Sequence, residues 1–375
     1  MKPAKKVLIT GGAGFIGSHT VDALVEAGYE VTVYDNLCPQ VHGLHQEKPR
    51  HLNPHAEFVL GDVCNRDLLR RVMKDKDLVI HDAAEVGVGQ SMYEIERYVT
   101  TNVRGTAVLW DILANERHRV ERVLVASSMS LYGEGRYLCP DHGPIAPGAR
   151  PEVQLALGQW SMTCPQCGQT AIALPTDENK RLDCQSVYAQ TKKDQEEYSL
   201  LLGKAYGIPT VACRYFNCYG PRQSLNNPYT GAAAIFSSAI KNNQPPLVYE
   251  DGRQKRDFIH VRDLVRAKLL LLEHPGAPGR VFNIGTGRPT SILKLARTLI
   301  RLYEKDLEPR VLGKFRTGDI RDCYADISRI QALGFQPAIS LEEGLKNLVA
   351  WGQVQNAESH LESAHRELVA KGLVG

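Results

Sequence analysis

Tyr188-Ala-Gln-Thr-Lys192 places a phenol and an ammonium four residues apart. On a helix such a pair shares one face, and the cation favours the ionised phenolate. An unperturbed tyrosine titrates near ~10, so a base for neutral pH needs that value lowered by roughly three units, or about 4 kcal/mol. Lys192 is expected to supply much of the lowering, and an oxidised nicotinamide ring nearby would add more positive charge. A phenolate tuned in this way suits hydride chemistry, taking the proton of a hydroxyl whose carbon gives up its hydrogen. Alone the pattern says little, because Tyr-x-x-x-Lys arises by chance in many helices. Its meaning depends on the elements that position it.

The first of these is Val7-Leu-Ile-Thr-Gly11-Gly12-Ala-Gly14-Phe-Ile-Gly17, a short apolar strand entering a glycine-rich turn and a helical stretch from Ser18 to Ala27. Glycines there let backbone approach a pyrophosphate, whose charge is held at the helix N-terminus. A second strand, Glu30-Val-Thr-Val-Tyr34, ends in Asp35, where a carboxylate accepts from a ribose 2′-OH. Asp35 is followed by Asn36-Leu37 and not by arginine. A 2′-phosphate would meet uncompensated negative charge, so NAD is favoured over NADP. The alternation continues through Phe58-Val-Leu60, Leu78-Val-Ile80, Val123-Leu-Val125 and Thr210-Val-Ala212, separated by helical stretches. This predicts an α/β fold, a doubly wound parallel sheet whose ligands bind beyond the carboxyl ends of the strands. Ser128 closes one strand at that edge, where its hydroxyl can bond a substrate oxygen.

Between the serine strand and Tyr188 the chain is longer than this fold needs. The extra length contains Cys139-Pro-Asp-His142-Gly143 and Cys164-Pro-Gln-Cys167-Gly168. Two residues between ligands let both reach one ion, and the glycine lets backbone N–H groups turn toward sulfur, so a structural zinc with a closed Cys3His shell is expected. Nine cysteines without a secretory signal argue against a disulfide framework and for a cytoplasmic location. The basic opening Met1-Lys-Pro-Ala-Lys-Lys lacks a following apolar run long enough for a signal peptide. No stretch approaches the roughly 18 apolar residues of a membrane span. A net charge of +3 without charge blocks gives no reason to expect nucleic acid or a membrane as partner.

Taken together, these segments resemble the extended short-chain dehydrogenase/reductases acting on nucleotide sugars. Further matches are Asn102-Val-Arg-Gly-Thr106, Arg214-Tyr-Phe-Asn217-Cys-Tyr-Gly-Pro221 and Arg256-Asp-Phe-Ile-His-Val261, so the likeness spans nearly the whole chain. The resemblance implies that Tyr188 is the base, that Lys192 lowers its pKa and binds the nicotinamide ribose, and that Ser128 bonds the reacting hydroxyl. Implied contacts to NAD also include Gly11, Gly14, Phe15, Ile16, Gly17, Asp35, Asn36, Asp62, Val63, Ala83, Ala84 and Asn102. Implied contacts to the nucleotide sugar are Glu85, Gly87, Ser128, Met129, Ser130 and Asn217, with Arg256 and Arg321 where the family places diphosphate-binding arginines.

Two residues after Ser128 select the branch. The family's 4,6-dehydratases carry an Asp-Glu pair there, whereas this chain has Met129 and Ser130, which cannot act as acid and base. The expected reaction is 4-epimerisation through a transient 4-keto sugar. The segments Asp35 to Gly43, Gly87 to Glu96 and Ser224 to Gly231 resemble the dTDP-L-rhamnose 4-epimerase subgroup more than the UDP-galactose one. A UDP-hexose substrate, a related decarboxylase or oxidoreductase, and a non-catalytic NAD-binding sensor are the alternatives. The expected organisation is a Rossmann domain at 1–216 with the zinc-knuckle insertion at about 136–183, and a smaller α/β substrate-binding domain at 217–375. Within the latter, a segment at about 257–270 is expected to return to the first domain. The charged tail from Glu358 to Lys371 is expected to be solvated surface, and the family implies a homodimer through helices that include the one bearing Tyr188.

Overall fold

Seven short apolar segments pair side by side in a computed structural model that describes residues 4–44 and 47–375, so Met1–Pro3 of the basic opening lie outside the described residues. They are β1 (Lys6–Thr10), β2 (Glu30–Asp35), β3 (Glu57–Leu60), β4 (Leu78–His81), β5 (Arg122–Ser128), β6 (Thr210–Tyr215) and β7 (Arg280–Ile284). All six pairings are parallel, in the order β3-β2-β1-β4-β5-β6-β7. Alternate residues of each strand enter separate cores. Val7 and Ile9 join Val33, Leu124 and Phe282 on one face, and Leu8 joins Tyr34, Val79, Trp110 and Val123 on the other. Strands covered on both faces read as continuous apolar runs, which is why the sequence displays them so clearly. Between β1 and β4 the strand order reverses, opening a crevice at their carboxyl ends.

Helix α1 (Phe15–Glu26) follows the glycine turn, and α2 (Val187–Ala205) carries Tyr188 and Lys192 against β5 and β6. Ser186 caps α2 by accepting a hydrogen bond from Ala189 N at 3.1 Å, so the helix begins one residue before the tyrosine. The helix α3 (Val261–Glu273) packs on α1. Most of the segment at about 257–270 expected to return to the first domain lies in α3. The stretch that rejoins the first layer comprises α3 and β7, whereas Lys255–His260 pairs in the second domain. An apolar run such as Val281-Phe-Asn-Ile284 declares itself a buried strand but does not name its neighbour.

The second domain has a small sheet of Asn217–Tyr219, Lys255–His260, Pro289–Ser291 and Asp322–Cys323. Its separate core includes Tyr219, Phe236, Leu295, Leu299, Leu345 and Leu348. The insertion folds into an antiparallel three-stranded sheet of Arg136–Cys139, Gly143–Ile145 and Ile172–Leu174. No described helix is long and apolar enough to cross a membrane.

Candidate active site

A cavity of about 580 Å³ opens along the carboxyl ends of the strands and runs from the glycine turn to the second domain. At one end, Gly11 sits at φ 71°, where an added Cβ would come within 2.8 Å of Ala83 Cα. A Cβ at Gly17 would lie 2.2 Å from Gly11 O, so this glycine permits the close crossing of α1 and the turn. Around Gly14 the space is open, with Gly11 O the nearest atom at 3.4 Å. Gly14 and the first turn of α1, Phe15 to Gly17, line the cavity, and no side chain caps the helix there. Asp35 lines the same end, its carboxylate accepting Ala13 N at 3.0 Å and Leu37 N at 2.9 Å. A phosphate cradle beside a ribose-accepting carboxylate fits NAD. Gly17→Ala is expected to lower the NAD retained after purification by more than about tenfold, measured by absorbance of the cofactor released on denaturation.

Phe15, Ile16, Asn36, Val63, Ala83 and Ala84 line the cavity as expected, but two implied cofactor contacts stand behind it. Asn102 is fully buried, its amide accepting Glu85 N at 2.7 Å and donating to Thr191 Oγ1 at 2.9 Å. It ties the loop at Glu85 to α2 from a π-helical turn at Val99–Arg104. Asp62 accepts Cys64 N at 2.8 Å and Asn36 Nδ2 at 3.0 Å, closing a turn while Val63 reaches the cavity wall. Both residues position wall atoms, and neither lines the wall itself.

Ser128, Tyr188 and Lys192 meet midway along the cavity. Ser128 Oγ accepts from Ser130 Oγ at 2.9 Å and from Ser130 N at 3.2 Å. Tyr188 lines the cavity with them, its phenol raised by burial, against a smaller opposing pull from Ser128. Burial takes the Lys192 ammonium down to about 8, against the pull of Asp82 and Glu196. Its Nζ donates to Gln195 Oε1 at 2.7 Å, and Gln195 Nε2 donates in turn to Thr106 Oγ1 at 2.9 Å. Beneath the set, Glu196 accepts Ser127 Oγ at 2.6 Å and Arg214 Nε at 3.0 Å, anchoring β5 to α2. Neither Gln195 nor Glu196 was singled out by sequence, although both share the face of α2 that carries Lys192.

Glu85, Gly87, Met129, Ser130, Asn217 and Arg256 line the remaining wall. Asn217 Oδ1 is buried without a protein partner, an acceptor left for a ligand. Arg321 departs from expectation. Its guanidinium is buried and points away from the cavity into Glu250, at 2.7 Å, and Asp251, at 2.6 Å. Arg316, five residues earlier, lines the cavity instead, steered by Asp319 at 2.8 Å and stacked 4.5 Å above the Tyr249 ring. The tail expected to be solvated surface is also corrected. Leu361, Ala364, His365 and Leu368 of the helix Leu361–Ala370 close one side of the cavity. Tyr229 OH and Tyr249 OH hold that helix through Glu367 and His365, each at 2.6 Å.

A glycine-turn dinucleotide cleft with a serine, tyrosine and lysine at its centre defines an enzyme frame of the dehydrogenase type. The chain belongs to the NAD dependent epimerase/dehydratase family, whose pattern matches residues 7–150 and 161–285 and skips part of the insertion. It is 37% identical over 350 residues to a dTDP-L-rhamnose 4-epimerase of Burkholderia thailandensis, covering 92% of this chain and 94% of that protein. Its structure is similar to that of a UDP-glucose 4-epimerase from Thermotoga maritima with UDP-glucose (TM-score 0.75, 31% identity, 92% and 98% of the two chains). A UDP-glucuronic acid 4-epimerase from Bacillus cereus in complex with UDP-glucuronic acid and NAD is also similar (TM-score 0.73, 28% identity, 93% and 99% of the chains).

Proposed function

We propose that the protein is a nucleotide-sugar 4-epimerase with tightly held NAD, acting on dTDP-L-rhamnose and its C4 epimer, dTDP-6-deoxy-L-talose. The observation carrying this reading is that Ser128, Tyr188 and Lys192 line one cavity, with Ser130 bonded to Ser128 Oγ so that it orients the serine assigned to the reacting hydroxyl. Met129 and Ser130 provide no acid and base for loss of water, which favours return of the hydride to the ketone. NAD, held at the glycine turn and Asp35, would supply an acceptor and donor of hydride for sugar C4 and a ring charge that favours the phenolate. Tyr188 removes the C4 hydroxyl proton as the C4–H bond breaks, and gives it back when the carbonyl is reduced on the opposite face. Ser128 holds the C4 oxygen through both half-reactions. Lys192 is assigned to the nicotinamide ribose, Asn217, Arg256 and Arg316 to the sugar diphosphate. Asp35 faces the adenosine ribose and selects NAD.

The reading extends to a zinc ion on Cys139, His142, Cys164 and Cys167, to the cytoplasm and to a homodimer. The dimer is supported by Tyr198 and Leu201, exposed on α2, beside exposed Ile95 and Val99. The 37% identity to a dTDP-L-rhamnose 4-epimerase supports the sugar, and the cavity alone would admit a UDP-hexose. A panel of dTDP- and UDP-sugars followed by NMR of the anomeric signals tests the assignment. A new C4 epimer from dTDP-L-rhamnose is expected, and turnover of UDP-hexoses alone would replace the substrate.

A further inference from the structure

The four ligands of the insertion come together as the spacing required. Cys139 Sγ lies 3.5 Å from His142 Nδ1 and 3.6 Å from Cys167 Sγ, and Cys164 Sγ lies 3.6 Å from the same His142 nitrogen. A tetrahedral zinc with bonds of about 2.3 Å to sulfur and about 2.0–2.1 Å to nitrogen has edges of roughly 3.5–3.8 Å. Gly143 and Gly168, each following the second ligand of a pair, adopt φ 71° and φ 75°, the left-handed turn of a metal knuckle. The insertion's own apolar cluster is small, with Tyr137, Met162 and Ala171 buried and Ile145 and Ala173 partly buried against them. So small a core does not sustain a fold without a staple.

The same insertion grips the wall of the cavity. Glu134, at its entrance, accepts Arg321 N at 2.7 Å, Asp322 N at 3.3 Å and the hydroxyl of Tyr137 at 2.8 Å. Gly135 N donates to Asp322 O at 2.8 Å. Arg150, buried within it, bonds Glu250 at 2.8 Å, Asp319 O at 3.3 Å and Trp160 O at 3.0 Å. At its exit Thr176 N donates to Tyr324 O at 2.8 Å and Thr176 O accepts Asp326 N at 2.9 Å. The segment so clasped carries Arg316, Gly318, Asp319 and Ile320 into the cavity, and its carbonyls at Ile320 and Arg321 hold Arg256 at 2.6 and 3.0 Å.

We propose that the zinc knuckle is a strut for nucleotide-sugar binding: the ion folds the insertion, and the insertion fixes the wall that presents Arg316 and Arg256. The NAD end of the cavity, built on β1 and α1, is outside its reach. This rests on the zinc assignment above, and the test separates the two. Metal analysis of the full-length protein purified without chelator is expected to give one zinc per chain. Absence of zinc would end the assignment itself, and the strut with it. Cys164→Ser/Cys167→Ser is expected to lose the metal and to bind dTDP or UDP at least about tenfold more weakly by calorimetry, with bound NAD unchanged. Arg150→Lys should retain zinc and reproduce the weaker binding, which keeps the test open if the cysteine variant is insoluble. Unchanged nucleoside diphosphate affinity in a zinc-free protein, or in Arg150→Lys, would overturn the strut, and a parallel loss of NAD would show general unfolding instead.

Discussion

Tyr188→Phe is expected to lower turnover by roughly 100- to 10,000-fold, the usual contribution of a positioned proton-transfer group, while NAD remains bound. The ring keeps its place, since its packing edge-on to Tyr98, with centroids 6.4 Å apart, does not involve the hydroxyl. What is lost is the phenol oxygen assigned as acceptor for the sugar proton. Steady-state kinetics paired with cofactor content separate this from misfolding. Activity within tenfold of the parent would mean that another group takes the proton.

The greatest loss of stability is expected from Lys268→Ala. Lys268 is fully buried in α3, and its ammonium pairs with Asp82 at the end of β4 and donates to Thr20 Oγ1 of α1 at 2.9 Å. Asp82 in turn accepts Tyr215 OH at 3.3 Å. Removing the cation strands a buried carboxylate, and broken buried pairs of this kind typically lose about 3–5 kcal/mol. Urea denaturation measures it, and the double variant Lys268→Met/Asp82→Asn should recover much of the loss because no charge is left uncompensated. A single-variant loss under about 1 kcal/mol would show that water reaches the pair.

The parts legible in sequence are those whose signal is local. Parallel strands buried on both faces appear as apolar runs, and the glycine turn has a fixed spacing, so six of the strands, Asp35 and the Tyr188 helix are where the residues place them. The Cys/His pairs also converge as their spacing required. Other features depend on partners far away in the chain. Arg316 and Arg321 flank one turn, and only Glu250 and Asp251, about 70 residues earlier, decide that Arg321 turns inward. The lowering of Lys192 comes from burial, which no helical spacing reveals. The tail helix did leave a trace, an apolar stripe at Leu361, Ala364 and Leu368, outweighed by the charges around it.

Return of one hydride from C4 to C4 of the same sugar is the step on which the proposed reaction rests. It is tested by turning over dTDP-L-rhamnose deuterated at C4 in ordinary water and reading the label in the product by NMR and mass spectrometry. The account predicts an epimer that retains its deuterium at C4. Label lost to solvent, or solvent hydrogen exchanged into C3 or C5, would contradict it and point to enolisation in place of hydride return.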